Sequence, residues 1–596
     1  MIRTPLRPLA RILDARQKGE NPDAIERENI RLRHEEMRDR ARRRAEGRLL
    51  VLGLAFFCAF SVVGARMGHL ASTEPSEPRA SAAGATIIAQ RADIVDRKGR
   101  VLATNLDTYS LYAQPPQMVD PVRAARALAG IFPDLDEADL VEDFTGKRKF
   151  LWIKKKLSPE QKQAVHDIGE PGLLFGPREM RLYPNGKLAA HVLGGASFGR
   201  EGVHAAEVIG VAGIEKNFDA LLRDPARGGQ PLELSLDLSV QAAAEQVLYG
   251  GMRLMNAKGA AAVLMDVHTG EVISLVSLPD FDPNDRPRPP TEGNPSDSPL
   301  FNRAVQGVYE LGSTFKIFTV AQAMELGLVN ASTMIDTKGP LRWGKHRIRD
   351  FHNYGPELTT TKVIVKSSNI GTARIAQMIG VERQQEFLRN LGFFEPIPLE
   401  MVEASGGRPL LPPNWSELST MTISYGHGLS ATPLHLAAGY AAIANGGTYV
   451  APTLLKQEGP QYGPRVMSKQ VAATSREMLR KVVTEGTASF GEVPGYAVAG
   501  KTGTADKPKE RGGGYYDDKV IATFASMFPA HDPKYVLIVT LDEPVETSGD
   551  EPRRTAGWTA VPVAAEMIRR IAPLLGLRPE IEPGTLADIT LTSSSQ

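Results

Sequence analysis

One stretch of the chain is apolar at every position. Residues 49–65 read LLVLGLAFFCAFSVVGA, without a charge. Apolarity on all faces of a helix points to lipid, where a core helix usually keeps a polar side. At 1.5 Å per residue the run covers about 25 Å, slightly short of a hydrocarbon core of ~30 Å. Gly47, Gly68 and Leu70 can lengthen it, and Arg48 and Arg66 can reach the two interfaces. A cleaved signal peptide is the alternative, but the run is preceded by 48 residues, far more than a normal n-region. No second run is long enough to span, so the pattern predicts a single pass.

Elsewhere the pattern is mixed. Residues 24–44 are charged, with Glu and Arg four apart, which predicts a partly helical arm; a disordered arm is the other reading. Residues 71–86 are small and polar with Pro, a linker. From Ile87 onward structure resumes. Asp96-Arg97-Lys98-Gly99 reads as a turn between two short strands, and residues 119–170 as charged helix. The apolar runs 260–265 and 272–276 flank Val267-His268-Thr269-Gly270, a hairpin. Long helical patterns follow to about 445, then strand-like runs at 496–499, 521–528 and 535–541. A polar, loose tail closes the chain. This order predicts an α+β fold, an antiparallel sheet flanked by helices, better than alternating βαβ units.

Composition narrows the classes. The 596 residues imply several domains, and 42% hydrophobic with 23% charged residues is globular. A net charge of +1 gives no pull toward nucleic acid. The single cysteine, Cys58, allows no intrachain disulfide and no cysteine metal site. His34-Glu35-Glu36 lacks the second histidine of a zinc helix, so no metal and no cofactor are expected. Residues 1–48 hold 14 Arg or Lys against 9 Asp or Glu, with Arg42, Arg43, Arg44 and Arg48 beside the apolar run. Basic residues there keep the N-terminus cytoplasmic and place the rest outside.

The candidate chemistry lies in three short motifs: Ser313-Thr314-Phe315-Lys316, Ser367-Ser368-Asn369 and Lys501-Thr502-Gly503. Ile317, Val320, Ala321 and Met324 recur on one helical face, and Gly327 can end that helix. Ser313 is therefore expected at a helix N-terminus, where the dipole favours developing negative charge, with Lys316 one turn on. A serine hydroxyl needs a base, and a lysine serves only if burial or a second cation lowers its pKa; Lys501 can be that cation. Asn369 can hold Lys316 and a substrate amide, and Ser367 can pass a proton to a leaving amine. In the strand-like YAVAGKTGTA, alternation sends Lys501 and Gly503 to one face and Thr502 and Thr504 to the other. That conflicts with Lys501 and Thr502 sharing a site unless the strand twists at its edge. A lone S-x-x-K arises about once by chance in such a chain; the ordered set on an exported chain carries the weight. The glycine-rich residues 511–514 read as a mobile loop, and His427 as a loop histidine with a packing role, a place lining the cleft being the alternative.

Together these motifs are a signature of β-lactamases and penicillin-binding proteins, here with Ser-Ser-Asn in the middle. The chain resembles the class B penicillin-binding proteins, specifically the division-type D,D-transpeptidases of the FtsI type. The resemblance runs from about residue 49 to 570. It is carried by RADIVDRKGRVLATN at 91–105, FLWIKKKL at 150–157, RLYPNGKLAAHVLG at 181–194 and GVAGIEKNFD at 210–219. YELGSTFK at 309–316, SSNIGT at 367–372, SYGHGLSATPLHLA at 424–437 and AGKTGTA at 499–505 continue it. Ala92 stands where the family usually has Gly.

The hydropathy and charge pattern gives a cytoplasmic arm over 1–48, a transmembrane helix over 49–66 and a linker over 67–86, and the resemblance adds to it. That resemblance implies an elongated non-catalytic pedestal over 87–230, a transpeptidase domain over 231–576 and a tail over 577–596. It implies Ser313 as acyl-accepting nucleophile, Lys316 as its base, and Ser367 and Asn369 in proton transfer and positioning. Lys501 and Thr502, with Gly503 and Thr504 beside them, would bind the terminal carboxylate of D-Ala-D-Ala in peptidoglycan stem peptides. The amides of Ser313 and Thr504 would form the oxyanion hole. β-Lactams as inhibitors, an FtsW-like membrane glycosyltransferase and other division proteins as partners, and a site at the septum are implied too. A β-lactamase shares the chemistry, but most are soluble and half this length. A β-lactam sensor or a division scaffold would need no turnover, and residues 67–230 are too few for a second, glycosyltransferase domain.

Overall fold

The computed structural model describes residues 7–72, 91–201, 206–509 and 513–580. By contact the chain separates into residues 1–79 with 147–149, and the remainder. The first unit is helical, with helices Arg7–Gln17 and Pro22–Ser72. Its charged arm carries the expected pairs four residues apart, Arg31 with Glu35 at 3.0 Å and Arg42 with Glu46 at 2.8 Å. Each such pair supports a helix by a few tenths of a kcal/mol, roughly 0.2–0.5. Within the long helix, Ala45–Met67 has a mean hydropathy of 2.1 and none of it is buried. It is the one helix among the described residues long and apolar enough to cross a membrane. The helix runs to Ser72, so residues 67–72 of the expected linker are helical, while residues 73–86 lie outside the described part.

The second unit begins with a five-stranded sheet. Val101–Ala113 is its centre, pairing antiparallel with Ile94–Val95, Leu151–Leu157 and Leu173–Leu182. Asp96 makes the expected turn after the first strand: its Oδ1 accepts from the amides of Lys98 and Arg100 at 2.9 and 2.8 Å. The charged segment 119–170 is helical at Pro121–Ile131, Glu137–Thr145 and Pro159–His166. The strand Leu151–Leu157 interrupts it, contrary to the expectation of helix throughout. Leu151 and Leu157 at its two ends are buried in a small core with Leu128, Phe132 and Phe144, and that packing overrides the lysine-rich middle.

Two polar joints tie this pedestal together. Arg91 and Arg181, both buried, reach the two oxygens of buried Glu215 at 2.7 and 2.6 Å. A buried pair of this kind fixes register more than it adds stability. At the other joint Arg100 reaches Asp237 at 2.7 Å. Asp237 caps the helix Leu238–Leu254 by accepting from the amides of Ser239 and Val240.

That helix opens an α+β domain. Its sheet runs in the order Ala499–Pro508, Tyr515–Phe528, Tyr535–Asp542, Gly259–Asp266, Val272–Leu278, antiparallel throughout. Leu238–Leu254 and Ala560–Leu574 pack together on one face. Pro433–Ala444, buried at all twelve positions, lies on the sheet beside Lys469–Glu485. Between the helical segments sit two small ladders, Met334–Asp336 with Glu357–Thr359 and Leu341–Trp343 with His346–Ile348. Three-residue strands leave no periodic trace, so the sequence pattern reads only helix there. Of the expected tail, residues 581–596 lie outside the described part; Leu577 packs on the core and the Glu580 amide bonds Gly495.

Candidate active site

Ser313 sits on a 3-10 turn, Gly312–Phe315, that leads directly into the helix Lys316–Glu325. Ser313 thus stands at the N-terminal end of that helix, as expected, with a 3-10 turn in place of a first α turn. Its cause is crowding from both sides. A Cβ on Gly426 would lie 1.9 Å from the Gly312 carbonyl oxygen, and one on Gly503 would lie 2.2 Å from that of Leu311. Only backbone fits there, and Gly312 turns at φ +55°. Below the turn, buried Tyr440 donates its hydroxyl to the Thr314 carbonyl at 2.8 Å.

Lys316 is fully buried. Its Nζ donates to the Ser367 carbonyl at 2.5 Å and to Ser367 Oγ at 3.0 Å. From the opposite side Lys501, also fully buried, places its Nζ 2.9 Å from the same Oγ and 3.1 Å from the Thr502 carbonyl. Burial holds the Lys316 ammonium well below its ordinary range, and the charge of Lys501 pushes it further down against the pull of Asp350. Burial brings Lys501 down to about 7.

Ser367, at φ +60° and ψ +45°, is the first of the two residues that link helices Thr360–Lys366 and Asn369–Ile379. The left-handed turn lets its carbonyl and its hydroxyl meet Lys316 together. Ser368 holds the corner: its Oγ accepts from the Gly371 amide at 2.9 Å and donates to Asp350 at 2.7 Å. Asn369 donates Nδ2 to the Arg349 carbonyl at 3.0 Å.

A cleft of about 420 Å³ opens over these groups. Ser313, Ser367, Asn369, Thr502 and Thr504 line it; Lys501 and Gly503 do not. The strand Ala499–Pro508 therefore alternates as expected. Lys501 meets the site without a twist because it lies on the edge strand and its long side chain passes beneath to Ser367.

Some lining groups escaped the sequence reading. Thr487 shares a hydrogen bond with Thr502 at 2.7 Å, and Phe490 and Trp558 meet on the rim with ring centres 5.1 Å apart and planes tilted by 55°. His427, by contrast, takes the alternative place the sequence offered it and lines the cleft, its Nδ1 3.1 Å from Glu310. Glu310 also accepts from the Gly428 amide at 2.7 Å and the Tyr515 hydroxyl at 3.0 Å. Glu310 stands three residues before Ser313, a proximity that could have flagged it; nothing local marks Thr487 or Trp558.

Residues 260–567 match the penicillin binding protein transpeptidase domain, and residues 86–233 the penicillin-binding protein dimerisation domain. The chain is 34% identical over 574 residues to the probable peptidoglycan D,D-transpeptidase FtsI of Caulobacter vibrioides, covering 94% of each. It is 29% identical over 483 residues to the peptidoglycan D,D-transpeptidase FtsI of Escherichia coli, covering 76% of this chain and 79% of that protein. Among solved structures, the apo transpeptidase domain of Burkholderia pseudomallei penicillin-binding protein 3 is 33% identical with a TM-score of 0.51, covering 59% of this chain and 98% of that one. Two domain matches in order, and a relative aligned over nearly the full length of both chains, show that this chain belongs to the class B penicillin-binding proteins of the FtsI type.

Proposed function

We propose that the chain is a peptidoglycan D,D-transpeptidase of septal wall synthesis that works through an acyl-enzyme on Ser313. The observation that carries this reading is the convergence of two buried ammonium groups on Ser367 Oγ, at the floor of the cleft that Ser313 lines. Two desolvated cations this close cannot both stay protonated easily, and a neutral lysine is a base.

Neutral Lys316 takes the Ser313 proton, and the oxygen attacks the carbonyl of the penultimate D-Ala. The amides of Ser313 and Thr504 receive the oxyanion. The proton then passes through Ser367 to the departing D-Ala amine, and Asn369 positions the peptide. An acceptor amine attacks the ester, gives up its proton by the same route, and Ser313 is restored. Thr502 offers its hydroxyl to the terminal carboxylate, while Lys501, absent from the cleft wall, contributes its charge from beneath. A β-lactam is attacked in the same way and leaves a stable ester.

In this reading Ala45–Met67 spans the inner membrane once, with the basic arm cytoplasmic and the rest periplasmic. The pedestal occupies 87–230 and the transpeptidase domain 231–576. An FtsW-like glycosyltransferase supplies the glycan strands at the septum. Intact-mass spectrometry after penicillin exposure tests the chemistry. One adduct, mapped to Ser313 and slow to hydrolyse, is expected; an adduct that persists in Ser313→Ala overturns it, and fast turnover would make the protein a β-lactamase.

A further inference from the structure

A hollow larger than the catalytic cleft lies away from it, where the pedestal meets the segment that follows strand Val272–Leu278. It measures about 650 Å³. Its walls come from the strand Leu151–Leu157, the hairpin of Gly195–Glu201 and Ala206–Ala212, and residues 283–289. Six lining side chains are cationic, Lys154, Lys155, Lys156, Arg181, Arg286 and Arg288, against one carboxylate, Asp285.

Some of that charge is already matched. Lys154 pairs with Asp134, and Arg181 with Glu215. Lys156, Arg286 and Arg288 have no ion pair among the described residues. Two buried N–H groups lack any acceptor: Nη2 of Arg181, whose side chain is 2% exposed, and Nε of Arg286. Both nitrogens are closed off from the surface, so they mark positive charge that the protein leaves uncompensated beside the hollow rather than points of ligand contact. Arg286 is held in place, its Cδ 3.1 Å from where a Cβ on Gly195 would stand and its guanidinium over the Phe281 ring at 5.5 Å. Phe198, Pro283 and Pro287 add flat apolar faces.

We propose that this hollow binds uncross-linked glycan strands through the carboxylates of their stem peptides. The inference rests on the transpeptidase reading above, which makes such strands the substrate. Guanidinium forks match carboxylates in two-point geometry, and ring and proline faces suit the C–H faces of sugars. A hollow of this volume takes a disaccharide-peptide fragment, whereas a folded partner needs a broader surface.

The test uses the full chain in detergent, acylated beforehand with penicillin so that the catalytic cleft is occupied. Calorimetry measures binding of a soluble disaccharide-tetrapeptide and of the same molecule with its carboxylates amidated. Expected is binding that weakens at least tenfold on amidation, weakens with salt, and weakens at least tenfold in the triple variant Lys156→Gln, Arg286→Gln, Arg288→Gln. The variant's penicillin acylation rate, unchanged from the parent, reports that it is folded. Equal affinity for both probes, or an unaffected triple variant, overturns the inference. So does binding of an acidic peptide in place of the muropeptide. Failure of the parent to acylate would instead overturn the transpeptidase reading, so the two failures are read separately.

Discussion

Replacing Lys501 by Gln tests whether one lysine tunes the other. The two ammonium nitrogens lie 3.0 and 2.9 Å from one oxygen, Ser367 Oγ. Tetrahedral bonding at that oxygen separates them by about 5 Å, where two unit charges at an effective dielectric of about 20 repel by roughly 3 kcal/mol. This repulsion favours the neutral, basic form of Lys316. Its loss in the variant favours the protonated form, so less base is present below neutral pH. The rate falls there by up to about a hundredfold, since 1.36 kcal/mol is a factor of ten. The rise of acylation rate with pH moves to higher pH.

The assay is stopped-flow acylation between pH 5 and 10 with two donors, a penicillin and an uncharged thioester without the terminal carboxylate. The thioester isolates the base from carboxylate binding. In the parent the penicillin rate also declines above about 7, where Lys501 loses its charge. The variant keeps the rise and loses that decline. Folding is not expected to suffer. The folded-state value of about 7 lies below the ordinary 10.5, so the unfolded chain binds more protons between those values and Lys501 destabilises the fold most below pH 7. A thioester profile whose rise stays in place, or moves to lower pH, refutes the coupling.

Three further outcomes follow from the site's supports. Tyr440→Phe strands the Thr314 carbonyl and should lower unfolding free energy by about 1–3 kcal/mol in urea titration, with a smaller effect on acylation at saturating donor. Gly426→Ala puts a methyl 1.9 Å from the Gly312 oxygen at φ +87°, so melting temperature and acylation rate should fall together, with a cost of at least about 1–3 kcal/mol. Glu310→Gln weakens the contacts to His427, Gly428 and Tyr515, which hold the lip of the cleft but touch no reacting atom. KM for a peptide thioester should rise severalfold with kcat nearly unchanged; a fall in kcat alone would argue against a positioning role.

What the linear sequence revealed was periodic or contiguous. The apolar run, the hairpin around His268 and the alternation in AGKTGTA are all local patterns, and the structure repeats them. Of the motif residues, Ser313, Ser367 and Asn369 line one cleft, and Lys316 and Lys501 reach Ser367 Oγ from beneath it. What stayed hidden depends on distant contacts. Strand Leu151–Leu157 has three lysines in its middle and owes its form to Tyr109, Leu111, Tyr112 and Ala113 opposite. The 3-10 turn at Ser313 is crowded by two glycines 113 and 190 residues further on, Gly426 and Gly503. Lys501 stands outside the cleft wall because burial and reach, not alternation alone, decide where an ammonium ends.

Ser367 joins stability and chemistry at a single position. A non-glycine residue at φ +60° costs about 1–2 kcal/mol relative to right-handed backbone. Glycine removes that cost, though its freer unfolded chain gives back about 0.5–1 kcal/mol. Ser367→Gly should therefore be more stable than Ser367→Ala by up to about 1 kcal/mol, while both lack the oxygen on which the two lysines meet. Loss of a proton-transfer group costs about 10²–10⁴-fold in rate, so both variants should acylate far more slowly than the parent. Paired urea titrations and stopped-flow acylation measure the two effects on the same proteins. If the glycine variant is no more stable than the alanine variant, the corner holds no strain. If either variant acylates at the parent rate, the proton does not pass through this hydroxyl, and Lys316 must reach the leaving amine by another path.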